Sequence, residues 1–114
     1  MHEASLAGSV LQLIEQAALR ERFARVVYLR LAVGQLAGIE PRALRFALEA
    51  LTPGTLLEGA RVDIEEPPGE AWCMACSRTV QIVQRGDACA HCGDYRLRLT
   101  GGTELRVIDM QVQD

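Results

Sequence analysis

The sequence contains no lysine: all 12 of its basic residues are arginine, set against 15 acidic ones. With a net charge of −3 and no basic cluster, it lacks the phosphate-neutralising charge that dominates nucleic-acid affinity. Aromatic residues are equally scarce. One Trp, two Tyr and two Phe leave little surface on which bases could stack, which argues against a nucleic-acid or transcription adaptor. There is no run of 18 apolar residues, so no membrane span is expected. The first 20 residues lack a basic leader, and Glu3 and Glu15 interrupt what a signal peptide keeps apolar, so the expected location is cytoplasmic. Neither a Gly-x-Ser-x-Gly elbow nor a Walker-type phosphate loop occurs, so nucleotide hydrolysis would have to come from a partner. Only two histidines exist, and neither has a neighbourhood of the kind a metalloenzyme needs, with an open metal position and a placed acid or base. The chain is therefore not expected to be an enzyme.

What is present supports a packed core, since apolar residues make up 49% of the 114. Leu6, Val10, Leu13, Ile14 and Ala17 recur at helical spacing over residues 5–20. In residues 25–33, Val27, Leu29, Leu31 and Val33 alternate with Val26, Tyr28, Arg30 and Ala32, which predicts a strand with one buried face. A second helix follows, with Pro41 suited to its first turn and Leu44, Leu48 and Leu51 as its stripe. Val62 and Ile64 mark a short strand. The stretch "PPGE" then breaks the pattern near residue 70. Acidic residues outnumber arginines up to that point and balance them beyond it. The tail "TELRVIDMQVQ" alternates again, with Ile108, Met110 and Val112 against Leu105, Val107 and Asp109. Two strands would under-build a sheet, so residues 103–112 are expected to return and complete it. The expected fold class is α+β: two helices on a three-stranded sheet with an inserted zinc-ribbon module. Residues 1–70 plus 101–114 would form the α+β domain and residues 71–100 the ribbon.

The ribbon is read from Cys73-Met-Ala-Cys76 and Cys89-Ala-His-Cys92, spaced C-x2-C-x12-C-x2-C. Each pair lets two thiolates reach one ion while backbone N–H groups point at the sulfurs, and two pairs supply four soft ligands at tetrahedral corners. A segment this small needs such a staple. Four cysteines leave no open position, so the zinc is expected to be structural. Iron suits the same cage, and two disulfides or redox-active pairs are the other reading, disfavoured without a secretion signal. His91 is expected to face solvent, because the shell is complete without it, and Trp72 to pack beside the module.

The chain opens Met1-His2-Glu3. Histidine is too large a second residue for methionine removal, so the Met1 amine, the His2 amide nitrogen and the His2 imidazole can surround one ion. That nitrogen set favours Ni(II) or Cu(II) in square-planar or tetragonal geometry. Taken singly, His2 reads as an ordinary terminal residue and Glu3 as a favourable charge at a helix start. The combination of this opening with "LAVGQLAGIEPRALRFALEAL", "AWCMACSRTVQI", "CAHCG" and the closing "ELRVIDMQV" resembles the HypA/HybF family of nickel metallochaperones for [NiFe]-hydrogenase maturation, over the whole chain.

The resemblance implies that His2 is the essential nickel ligand, with the Met1 amine beside it and Glu3 assisting. It places Glu40 where relatives carry an acidic residue near the nickel, although a helix-start charge is its other reading. It assigns zinc to Cys73, Cys76, Cys89 and Cys92. It further implies a HypB-type partner GTPase and the hydrogenase large-subunit precursor as recipient, with urease served in some relatives. Ser77 and Gly93 follow the two cysteine pairs, where some relatives have flanking histidines, so a role for such histidines is not expected here.

Overall fold

The computed structural model describes residues 3–114. The first helix, α1 (Glu3–Glu21), buries Ala7, Val10, Ile14, Ala17 and Ala18 along one stripe, with Glu3 in its first turn and Arg20 in its last, as the helix dipole favours. Leu13 lies off that stripe and is 56% exposed, contrary to its expected place in the core.

Strand β1 (Arg25–Val33) buries Leu29, Leu31 and Val33 as expected. At its start Val26 is buried and Val27 is exposed, so the alternation slips there. The slip coincides with Val26 N–H donating to the Leu56 carbonyl at 2.9 Å, a bond to the turn before the next strand. Helix α2 (Pro41–Leu51) has proline at its start, where the missing N–H costs nothing, and buries Leu44 and Leu48. Leu51 closes the predicted stripe but is 40% exposed. The two helices pack on one another.

Strand β2 (Arg61–Glu65) follows. Strands β3 (Gly69–Cys73), β4 (Arg78–Ile82), β5 (Leu97–Gly101) and β6 (Leu105–Gln113) complete the described chain. One sheet has the order β2-β1-β6, so the tail does return to complete a three-stranded sheet. Ala24 N–H donates to the Gln113 carbonyl and Gly34 N–H to the Glu104 carbonyl, each at 2.8 Å, which brackets β1 and β6 as antiparallel neighbours. Side chains tie the strands together away from the buried face. Tyr28 donates to Asp63 Oδ2 at 2.8 Å, and Arg30 makes a bidentate pair with Asp109 at 3.1 and 2.7 Å.

The other sheet has the order β4-β3-β5, both pairings antiparallel. Ala71, Cys73, Val80 and Ile82 are buried on one side. Trp72 lies half-buried on the other, opposite Thr79 on β4 and Arg98 on β5. Strand β3 was not expected, because "PPGE" reads as a break. Pro67 and Pro68 have no N–H for a ladder, and the strand starts at the residue directly after them.

The chain divides into two compact units. One takes the chain up to Leu31, Ile39–Ile64 and Val107–Asp114; the other takes Ala32–Gly38 and Glu65–Arg106. Among the described residues, no helix is long and apolar enough to cross a membrane.

Candidate metal centre

Strand β3 delivers Cys73 at its end, and the chain then reverses tightly to reach Cys76 before β4 begins. The second pair makes a like turn, between β4 and β5. Ser77 N–H donates to the Cys73 carbonyl at 2.9 Å, and Gly93 N–H donates to the Cys89 carbonyl at 2.8 Å. Both closing residues have left-handed backbone, with φ of 51° at Ser77 and 76° at Gly93. Each pair is thus one turn that ends on a positive φ, a conformation natural to glycine and strained for serine.

The two turns face each other. Cys73 Sγ lies 3.6 Å from Cys92 Sγ, and Cys76 Sγ lies 3.6 Å from Cys89 Sγ. All four ligand atoms lie within 4.8 Å of one another, and all four thiols are free. The short distances run between pairs and far exceed the ~2.05 Å of a disulfide. A tetrahedron with metal–sulfur distances near 2.3 Å has an edge of about 3.8 Å, close to the two short separations, so the cluster is of a size to hold zinc.

Electrostatics agree with that role. His91 N–H points at Cys89 Sγ from 3.4 Å. Backbone donation by Cys92, reinforced by His91, holds the Cys89 thiol down to about 7, which favours the thiolate that metals require. Cys76 is pushed up to about 12, first by its hydrogen bond with Cys73 and then by burial. Cys89 accordingly ionises before Cys76. The set is closed and sulfur-only, as in structural zinc centres; a bound zinc would supply cross-linking and charge neutralisation. His91 is exposed and approaches Arg78, with Nδ1 3.5 Å from the guanidinium. Among the described residues, the four cysteines are the one group with metal-ligand spacing.

Glu3 and Glu40, 37 residues apart, are brought together. Glu40 caps α2, its Oε2 accepting from Ala43 N–H at 2.8 Å, and its own N–H donates to Glu3 Oε2 at 3.2 Å. The helix-start reading of Glu40 is therefore realised in the fold. Both residues stand where helices begin, and Glu3 lines a cavity of about 380 Å³ with Ala4, Ala43 and Phe46. Met1 and His2, the other two expected nickel ligands, lie outside the described residues. Sequence reasoning placed both glutamates near a metal but missed the bond between them. The acidic residue directly before Pro41 is a signal for the cap on α2 only.

A family model described as "Hydrogenase/urease nickel incorporation, metallochaperone, hypA" matches residues 1–112. This chain belongs to the HypA family. It is 67% identical over 114 residues to the hydrogenase maturation factor HypA of Polaromonas naphthalenivorans, covering 100% of this chain and 99% of that one. It is 62% identical to the protein of the same name from Cupriavidus necator, covering 100% and 96%. The solution structure of the Ni metallochaperone HypA from Helicobacter pylori has the same fold, with a TM-score of 0.72 at 22% identity, over 99% of this chain and 98% of that one. The HypA family is one of nickel metallochaperones for hydrogenase maturation, and the four-cysteine group of this chain fits a zinc site.

Proposed function

We propose that this member of the family carries Ni(II) on its N-terminus and hands it on for [NiFe]-hydrogenase maturation without catalysing a reaction. The Met1 amine and the His2 amide and imidazole nitrogens form the primary set, with Glu3 and Glu40 supplying carboxylates. The observation that carries this reading is the Glu40–Glu3 hydrogen bond. It ties the residue next to His2 to the start of α2, where Glu40 stands.

A site at a chain end suits transfer, because a recipient's ligands can displace the donors one at a time. Binding requires loss of protons from amine and amide, so nickel is released as pH falls. The zinc ribbon holds shape and offers a docking surface. A HypB-type GTPase and the hydrogenase large-subunit precursor are the partners this reading names, and all three meet in the cytoplasm.

Calorimetric titration of the zinc-loaded protein with Ni(II) tests the assignment. Wild type is expected to bind about one nickel per chain, and His2→Ala to bind none at the same site while retaining zinc. Equal binding by both proteins would move nickel elsewhere.

A further inference from the structure

The zinc ribbon's apolar core contains a residue from outside the cysteine-bearing stretch. Leu36, on the connection between β1 and α2, is only 4% exposed and clusters with Ala71, Cys73, Val80, Ile82 and Cys89. Two members of that cluster are zinc ligands. The backbone around Leu36 is held as firmly as a strand: Gly34 N–H donates to Glu104 O at 2.8 Å, Gln35 N–H to Pro67 O at 2.9 Å and Leu36 N–H to Gly102 O at 2.7 Å. Arg85 Nε donates to the Leu36 carbonyl at 3.0 Å and closes the loop from the other side.

The ribbon's own residues leave room for this side chain. A Cβ placed on Gly69 would stand 2.7 Å from Leu36 Cδ1 and 2.5 Å from the Ile82 carbonyl oxygen, so β3 begins with glycine where Leu36 lies across it. Without Leu36 the apolar backing of the two most buried cysteines, Cys73 and Cys89, would rest on Ala71, Val80 and Ile82, with Leu97 and Leu99 only partly buried against them. A core that small is marginal, and the apolar shell of a metal site controls both the placement of its ligands and their access to water.

We propose that Leu36 is a positioning residue of the zinc centre, closing its apolar back and holding Cys73 and Cys89 in place for the metal. The proposal rests on reading the four cysteines as zinc ligands. It makes residues 32–38 an integral part of the ribbon, although they lie more than thirty residues before the first cysteine.

Chelator competition on the full-length chain measures zinc affinity, and Co(II) substitution reports thiolate ligation by its absorption bands. Leu36→Ala is expected to weaken zinc by roughly 30-fold or more, the scale at which core truncations are felt when metal binding and folding are one process. Leu36→Met, of similar volume, is expected to stay within a few fold of wild type. Gly69→Ala leaves Leu36 intact but displaces it, and is expected to weaken zinc as well. Leu44→Ala makes the same truncation in α2. It is expected to lower the melting temperature and leave zinc affinity unchanged. Should Leu36→Ala fail to fold by circular dichroism, the milder Leu36→Val carries the comparison. Zinc affinity equal to wild type in the Leu36 truncation, or an equal loss in Leu44→Ala, would overturn the proposal. If wild type itself shows no thiolate bands with Co(II), the four-cysteine reading falls and the proposal with it.

Discussion

Ser77 and Gly93 hold equivalent places in the two cysteine turns, yet only one of them suits its backbone. A left-handed φ costs an ordinary residue ~1–2 kcal/mol, while glycine gives back part of that advantage as unfolded-chain entropy. Ser77→Gly is expected to stabilise the ribbon by about 0.5–1 kcal/mol, and Gly93→Ala to destabilise it by about 1–2 kcal/mol, in urea unfolding of the zinc-loaded protein. Open space around Gly93 makes that second cost one of backbone alone. Glu40 separates in a similar way into two roles. Glu40→Gln keeps a side-chain oxygen for Ala43 N–H but not the charge, so its melting temperature should match wild type while nickel binding weakens. Glu40→Ala should lose both, with a capping cost of about 0.5–2 kcal/mol.

The elements were legible where one periodicity ruled and illegible where a distant partner intervened. The helices followed from Leu, Val and Ala at helical spacing, and the return of β6 followed from its alternation. The slip at Val26 and Val27 did not, because the bond that accompanies it comes from Leu56, thirty residues later. Strand β3 was hidden behind Pro67 and Pro68. Of the expected nickel ligands, Glu3 and Glu40 carried no sign in sequence that they would bond across two elements. Between elements, Arg30 on β1 holds Asp109 on β6, and this pairing depresses the Asp109 carboxyl below its ordinary 3.8. A depressed native value means the unfolded chain takes up the proton first. The pair's contribution is therefore present above 3.8 and is lost as pH falls through the lower native value. The stability difference between wild type and Asp109→Asn should be small and positive at neutral pH, as for an exposed pair, and should vanish on acid titration through that window.

At the scale of the whole molecule, the chain joins a unit bearing the two helices to one bearing four thiols, and the two are expected to respond differently to metal removal. Strong chelation of zinc should unfold the ribbon while α1 and α2, whose buried stripes contain no cysteine, persist. Far-UV circular dichroism retaining its helical signal, alongside collapsed amide dispersion for residues 69–101, would be the observable. The four-cysteine cage was readable from spacing alone, because two short turns dictate the geometry. Leu36 was not readable, since its burial depends on Gly69 and on strands more than thirty residues away. The central claim is that nickel is held by the free chain terminus. The most direct test is nickel titration of a zinc-loaded chain with two residues added before Met1, which keeps every side chain but moves the free amine away from His2. Loss of the single nickel with zinc retained is the expected result; undiminished binding of about one nickel per chain would contradict it.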